Sequence, residues 1–219
     1  MIICGDALVE LKKMEDNSVD FIFTDPPYNV GKDYGICKDN LSEIDYQLWM
    51  SVIVFECKRV SKNGVAFFVG SKRLLMFYNL LSDARCIIVR KGAIATPTPD
   101  LYYRQWSPLL VTRPPNERCY DVWEDIRMPG EGYYFRENRY PHPGLTSQRL
   151  TQRIIRFFTK KGEIICDPFC GTGTTAEVCK EFGLDFIGIE INPEYVEIAN
   201  KRINEFEMLP FEQETADEK

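Results

Sequence analysis

Four consecutive residues, Asp25-Pro26-Pro27-Tyr28, follow an apolar run and combine a carboxylate, two rigid residues and an aromatic ring. The Asp25 carboxylate and the Pro26 carbonyl could together accept both hydrogens of an amino group on a nucleobase, and this would localise a lone pair that is otherwise delocalised into the ring. Because proline fixes φ and has no amide hydrogen, the pair would end the preceding strand and fix the direction of both acceptors. Tyr28 offers a ring for stacking on a base that has left its duplex. The four residues are therefore predicted to be catalytic; the alternative is a stiff turn that only closes a strand.

A second motif, Asp167-Pro168-Phe169-Cys170-Gly171-Thr172-Gly173-Thr174, lies between an apolar run and a helical pattern. Glycines at such a turn let a ligand approach the backbone, and Glu190, at the end of the next strand, could accept hydrogen bonds from ribose hydroxyls. The glycine spacing also fits a dinucleotide site. However, Asp167 would repel a pyrophosphate, whereas a phosphate-free cofactor with a cationic sulfonium suits an acid-lined pocket. S-adenosylmethionine is therefore the predicted cofactor.

Together the two motifs resemble those of the DNA amino-methyltransferases, in the permuted group in which the catalytic motif precedes the cofactor motif. The resemblance covers residues 1–28 and 141–204. It implies that Asp25 to Tyr28 hold the target amino group, that Glu190 binds the ribose and that Asp6 lies beside the adenine of the cofactor. The cofactor-binding residues predicted in this way are Asp6, Ala7, Asp25, Asp167, Phe169, Gly171, Gly173, Thr174, Glu190 and Ile191. No metal ligand is predicted.

The implied reaction is a direct displacement in which the 6-amino group of adenine in DNA takes the methyl group. An Asp at the start of the catalytic motif favours adenine, while the permuted cytosine enzymes more often begin it with Ser, so N4-cytosine methylation stays an alternative. An RNA methyltransferase and a catalytically silent nucleic-acid-binding subunit are two more alternatives.

Since direct transfer needs no prior general base, His142 is predicted to have a structural or cofactor-adjacent role. Thr146-Ser147 replaces the Lys-Pro pair usual in the family.

Apolar runs and helical spacing predict strands that alternate with helices. The predicted strands span 2–4, 19–24, 65–69, 86–90, 109–112, 164–166 and 186–189. One predicted helix ends near Met14, and a second contains Ile44, Leu48, Val52 and Phe55. The other predicted helices span 74–81, 150–158, 174–182 and 193–207. This alternation predicts an α/β fold with a mostly parallel, twisted sheet and helices on both faces. The resemblance makes it a circularly permuted, Rossmann-like methyltransferase fold.

The chain is predicted to form one domain in two halves with an insertion between them. Residues 1–91 are the catalytic half and residues 141–209 the S-adenosylmethionine-binding half; residues 92–140 form a small target-recognition insertion, and residues 210–219 an acidic tail. Residues 85–160 carry 11 of the 14 arginines and a net charge of +6, in a chain whose net charge is −6. Because the guanidinium fork suits phosphate and guanine, duplex DNA with a flipped base is the predicted partner. Residues 29–40 are predicted to form a mobile loop that closes over this base.

Composition narrows the classes of protein further. No apolar run approaches the roughly 18 residues of a membrane helix, and no signal-peptide pattern is evident, so a cytoplasmic location is expected. The eight cysteines include no CxxC pair and are expected to be reduced thiols rather than a disulfide framework or a zinc site. The resemblance also suggests a homodimer and a cognate restriction nuclease as partners, although the sequence shows no interface.

Overall fold

The computed structural model describes residues 1–33, 39–91, 106–126 and 147–205 of the chain. Within these ranges the strands are β1 (Ile2–Cys4), β2 (Phe21–Thr24), β3 (Val65–Phe68), β4 (Arg85–Lys91), β5 (Trp106–Val111), β6 (Val122–Ile126), β7 (Ile164–Asp167) and β8 (Asp185–Glu190). The helices are α1 (Ala7–Lys13), α2 (Glu43–Val60), α3 (Leu74–Leu80), α4 (Gln148–Phe158), α5 (Thr174–Glu181) and α6 (Pro193–Glu205), and a 3-10 turn, Ser71–Arg73, precedes α3.

The strands pair in one sheet, in the order β1-β8-β7-β2-β3-β5-β4-β6. The first five strands of this order, β1, β8, β7, β2 and β3, are parallel to one another, and β4 is parallel to β6. Strand β5 runs antiparallel to both β3 and β4. At the centre of the sheet β2 pairs with β7, with Ile22 opposite Cys166. The predicted mostly parallel α/β sheet is confirmed, and residues far apart in sequence end side by side at one edge of it.

Helices cover both faces of the sheet, as predicted. On one face α1, α2 and α3 pack on strand residues such as Ile22 and Phe67. On the other face α4 and α5 pack on Phe21, Phe23 and Phe68. Successive residues of β2 therefore point into two separate cores, which is why Phe21, Ile22 and Phe23 are all apolar.

Helix α2 forms where it was predicted, but its apolar periodicity marks its outer side. Ile44, Leu48, Val52 and Phe55, here called the outer stripe, are 71%, 62%, 38% and 65% exposed. The buried side carries Tyr46, Met50, Ile53, Val54, Cys57 and Val60. Because this helix is apolar on two sides, spacing alone identified the helix and not the side that packs on the sheet.

Strand β6 was not predicted, since only 109–112 in that part of the chain was expected to be a strand. Val122–Ile126 lies at the edge of the sheet beside β4, and Ile88 and Val89 pair with Val122 and Trp123. Its pairing comes from a strand more than thirty residues earlier, which a local pattern does not reveal. Trp123 is fully buried there.

Several predictions fall on residues 34–38, 92–105, 127–146 and 206–219, which lie outside the described residues. These are most of the recognition insertion, the middle of the 29–40 loop, His142, Thr146 and the acidic tail. Nearby, the Asp39 carboxylate accepts hydrogen bonds from the Asn29 and Val30 amides at 2.6 and 2.9 Å. None of the described helices is both long and apolar enough to cross a membrane.

Candidate active site

Acidic residues follow or end four neighbouring parallel strands. Asp6 comes shortly after β1, Glu190 ends β8, Asp167 ends β7 and Asp25 follows β2. Because the carboxyl ends of parallel strands meet at one edge of a sheet, ligands of such folds bind there. One cavity at this edge contains most of the predicted site residues in its lining, namely Asp6, Ala7, Asp25, Pro26, Pro27, Tyr28, Asp167, Phe169, Gly171, Thr174, Glu190 and Ile191. The two motifs, which are about 140 residues apart in sequence, therefore share a cavity.

Hydrogen bonds fix the conformation of Asp25 to Tyr28, the predicted catalytic residues after β2, here called the catalytic segment. The Tyr28 phenol donates to Oδ1 of Asp25. The Tyr46 hydroxyl, from α2, donates to the Pro27 carbonyl at 2.9 Å. Nε of Arg73, from the 3-10 turn, donates to the Tyr28 carbonyl at 3.1 Å. The segment is therefore held by two other elements of the fold while Asp25 and Pro26 line the cavity.

The buried Asp167 carboxylate links β2 to α5. It accepts hydrogen bonds from the Thr24 and Thr175 hydroxyls, both at 2.7 Å, and from the Phe169 amide at 3.1 Å. Burial raises the pKa of Asp167 to about 6, although these three hydrogen bonds oppose the shift. Asp167 thus joins the strand that precedes the catalytic motif to the helix that follows the glycine loop.

Glu190 holds the glycine loop by its backbone. One carboxylate oxygen accepts the Gly171 amide at 3.0 Å and the other accepts the Asn192 amide at 2.8 Å. Burial raises the pKa of Glu190 above its ordinary value, and the hydrogen bonds from backbone amides oppose this shift. A carboxylate has about four acceptor positions, so Glu190 can accept further hydrogen bonds from a ligand in the cavity.

Comparison with known proteins identifies the arrangement. A family model described as DNA methylase, for N6 and N4 methyltransferases, matches residues 19–91 and 90–201. The chain belongs to this family. It is 33% identical over 238 residues to the type II methyltransferase M.HpaI of Haemophilus parainfluenzae, covering 93% of this chain and 74% of that protein. It is 29% identical over 243 residues to the DNA adenine methyltransferase YhdJ of Escherichia coli K12, covering 93% and 82%.

Solved structures agree on the fold of this methylase. The complex of M1.HpyAVI with S-adenosylmethionine superposes with a TM-score of 0.67 at 23% identity and covers 92% of this chain and 98% of that one. The cytosine-N4-specific PvuII DNA methyltransferase gives a TM-score of 0.72 at 17% identity and covers 94% and 87%. The predicted Rossmann-like methyltransferase fold is confirmed. The predicted enzyme class and its S-adenosylmethionine cofactor are confirmed with the family, while the roles of single residues stay predictions.

The cavity of the methylase is strongly acidic. Asp6, Asp25, Asp167 and Glu190 line it together with Lys32. Excess negative charge in a partly enclosed cleft favours a cationic ligand over an anionic one. This agrees with the preference for a sulfonium cofactor over a pyrophosphate. Asp6 also caps α1, since it accepts the Val9 amide at 3.0 Å.

Several lining residues of the methylase were not predicted from the sequence. Trp49, from α2, packs edge-on against Phe169 with ring centroids 5.7 Å apart, and Lys32 and Tyr195 also line the cavity. The signal for Trp49 was its spacing of three residues from Tyr46, which places two aromatic rings on one side of α2 near its start. Lys32 and Tyr195 carried no comparable signal because they come from a loop and from α6.

Gly173 packs against α6 and is not part of the cavity lining, and its predicted role in cofactor binding stays a prediction. Its φ is +84°, and a Cβ at this position would lie 2.8 Å from the Cβ of Ala199. Gly162 has nearly the same φ, +83°, and no atom lies within 4 Å of the position that a Cβ would take there. Glycine is therefore needed at 173 both for its backbone conformation and for close packing of two helices.

We expect Gly173→Ala to lower the free energy of unfolding by roughly 2–5 kcal/mol, the sum of left-handed strain and overpacking. Gly162→Ala should lower it by roughly 1–2 kcal/mol through strain alone. Urea unfolding of both variants and the wild type measures the difference. Equal losses in the two variants would show that contact with Ala199 is not what requires glycine.

The raised pKa of Asp167 makes stability depend on pH. The folded value of about 6 lies above the ordinary 3.8, so the folded state binds the proton more tightly. The stabilisation that this proton binding gives to the folded state is fully present below about pH 4 and is lost as the pH rises through about 6. Asp167→Asn should remove this pH dependence. The free energy of unfolding of the variant, relative to that of the wild type, should therefore rise by roughly 2–3 kcal/mol between about pH 4 and pH 7. Urea unfolding across this range measures the difference, and a pH-independent difference would contradict the assignment.

Proposed function

We propose that this methylase transfers the methyl group of S-adenosylmethionine to the 6-amino group of adenine in DNA. One observation carries the proposal: Asp25 and Pro26, the two acceptors suited to an amino group, line the same cavity as the Gly171 loop and Glu190. The name of the relative YhdJ, a DNA adenine methyltransferase, supports adenine as the base.

The residues of the cavity fit the cofactor. Its acids match a cationic sulfonium, and Glu190 has acceptor capacity for a ribose hydroxyl beyond the backbone amides that it already accepts. Phe169, Trp49 and Ile191 offer apolar surface for a purine ring. When bound, S-adenosylmethionine supplies an electrophilic methyl group.

The chain's own residues then act on the amino group of the base. The Asp25 carboxylate and the Pro26 carbonyl accept its two hydrogens, which localises the nitrogen lone pair toward the methyl group. Tyr28 presents its ring for stacking and its phenol holds Asp25. Holding the amino group in a fixed place and direction would provide most of the acceleration. The proton leaves after transfer, because the alkylated nitrogen is acidic, and Asp25 is placed to receive it.

The decisive experiment identifies the product. Purified enzyme is incubated with methyl-labelled S-adenosylmethionine and duplex DNA, and the hydrolysed nucleosides are separated by mass spectrometry. We expect N6-methyladenine as the product. If the product is N4-methylcytosine, the substrate base is cytosine and not adenine. Competition with structured RNA distinguishes an RNA enzyme, and S-adenosylmethionine binding without transfer to any nucleic acid would indicate a silent subunit.

The proposed DNA partner is a duplex from which the target base is flipped. The basic residues 85–160 supply charge for phosphates, and residues 92–140 are proposed to read the target sequence between the two halves 1–91 and 141–209. Fluorescence of 2-aminopurine at the target position should rise on binding if the base leaves the stack. We propose a cytoplasmic location because the proposed substrate is DNA. Fractionation of the source cells tests this location.

A cognate restriction nuclease is a further proposed partner, supported by the type II methyltransferases among the relatives. DNA modified by this enzyme should resist a nuclease of the same recognition sequence from the source cells. Cleavage of fully modified DNA at the methylated site would contradict this pairing.

A second copy of the chain is proposed to cover the outer stripe of α2. Four large apolar side chains along one exposed helix side, Ile44, Leu48, Val52 and Phe55, are more than scattered surface residues. Sedimentation should show a dimer for the wild type and a monomer for Leu48→Glu, with Gln47→Glu as the control on the same helix. A monomeric wild type would refute the homodimer.

A further inference from the structure

Two successive carbonyls of the catalytic segment accept hydrogen bonds from side chains outside it. Tyr46 holds the Pro27 carbonyl and Arg73 holds the Tyr28 carbonyl, at 2.9 and 3.1 Å. Tyr46 is only 1% exposed, so packing fixes the position of its hydroxyl. Backbone carbonyls on a loop are more commonly satisfied by water or by backbone amides, and their capture by two large side chains calls for a specific reason.

The two side chains are joined to each other. The Arg73 guanidinium lies over the Tyr46 ring, 4.3 Å from its centroid, and pairs with the Glu43 carboxylate. We call Glu43, Tyr46 and Arg73 the carbonyl clamp. A planar guanidinium can stack and donate in fixed directions at the same time, which an ammonium group cannot do. The clamp is therefore a rigid set built from the first turns of α2 and the 3-10 turn after β3.

The carbonyl clamp acts on the backbone torsions of the catalytic segment that its two prolines leave variable. Proline fixes φ at Pro26 and Pro27, so the remaining variable torsions are ψ of the prolines and the torsions of Tyr28. Holding the Pro27 and Tyr28 carbonyls fixes these peptide planes. The Tyr28 ring lies beside Gly70, 3.9 Å from the position that a Cβ would take there, and its phenol donates to Asp25. The direction of the Asp25 carboxylate is thus linked to the clamp.

We propose that Tyr46 and Arg73 are positioning residues for methyl transfer, which aim Asp25 and the Pro26 carbonyl at the amino group by holding the next two carbonyls. This inference rests on the proposed function, since it names what orients the acceptors of that reaction. Neither residue touches the reacting atoms; each acts through the backbone of the catalytic segment.

The test uses Tyr46→Phe and Arg73→Lys, which keep the ring and the charge while removing the hydroxyl donor and the planar fork. Tyr78→Phe is the matched control, because it removes a phenol from a partly buried tyrosine on α3 outside the cavity. Single-turnover methyl transfer should fall about tenfold or more in both variants, since small misplacements of reacting groups have effects of this size. S-adenosylmethionine affinity should stay within about twofold of the wild type, as should all readouts of the control.

A second readout does not depend on catalysis. Amide exchange of the peptide that contains Tyr28 and Asn29, followed by mass spectrometry, should become faster in both variants and remain unchanged in Tyr78→Phe. Unchanged transfer rates, unchanged exchange, or rate losses matched by lost cofactor affinity would overturn the positioning role. If the wild-type enzyme methylates no DNA, the proposed function fails, while amide exchange still decides whether the clamp holds the segment.

Discussion

Asp25→Ala should lower the rate of methyl transfer by about a thousandfold while the enzyme still binds its cofactor. In the proposed reaction the carboxylate accepts a hydrogen of the amino group and stabilises the positive charge that develops on nitrogen, so its loss acts on the transition state. Removing one such group typically lowers turnover by about a hundredfold to a thousandfold, and we expect the upper end here because the Tyr28 phenol also loses its acceptor. Single-turnover transfer measures the rate, and calorimetry measures S-adenosylmethionine affinity.

The matched controls for this prediction are Asp25→Asn and Asp83→Ala. Asn keeps the shape and one acceptor oxygen without the charge, so it should lie between alanine and the wild type. Asp83 has an exposed side chain beside Lys58, remote from the lining of the cavity, and its loss should leave transfer unchanged. If Asp25→Ala loses cofactor affinity as severely as turnover, the residue serves the cofactor site and not the amino group.

Glu190→Ala should show the opposite pattern, with weakened cofactor binding and preserved chemistry. The substitution removes the acceptor of the Gly171 and Asn192 amides and the proposed acceptor of ribose hydroxyls. Unpaired buried donors destabilise a site by about 1–3 kcal/mol, so the dissociation constant of S-adenosylmethionine should rise about a hundredfold. At saturating cofactor, the transfer rate should remain within about threefold of the wild type.

Titration calorimetry and transfer at increasing cofactor concentration separate the two effects of Glu190→Ala. Glu190→Gln keeps one acceptor and should weaken binding about tenfold. Glu194→Ala, in the exposed first turn of α6, is the control and should change neither quantity. A variant that binds the cofactor normally and transfers slowly would contradict the assignment of Glu190.

The sequence was sufficient to locate both motifs because their signals are local and their meeting point follows from topology. Pro26 and Pro27 end a strand by their own chemistry, and the glycines near Asp167 indicate a turn before a helix. The parallel arrangement then places both turns at one edge of the sheet. Candidate cofactor residues such as Glu190 could be found in the same way, since an acid that ends an apolar strand is itself a signal.

What could not be predicted depends on contacts between distant residues. Nothing near Tyr46 or Arg73 in sequence indicates that they hold carbonyls of the catalytic segment. The glycine pattern did not distinguish Gly171, which lines the cavity, from Gly173, which packs against Ala199. Helical spacing pointed to the outer stripe of α2, yet the equally periodic opposite side of that helix is the buried one. In each case the deciding partner lies on another element.

The pairing of β1 with β8 has a consequence for how the enzyme matures during synthesis. Ile3 lies opposite Ile189 in the register of the two strands, so β1 can join the sheet only after β8, which lies far along the chain, has been synthesised. Contacts of such long sequence separation form slowly and late. Asp6, which follows β1, and Glu190, which ends β8, therefore come together only once both strands are present, and a chain that is cut before β8 should not bind the methyl donor.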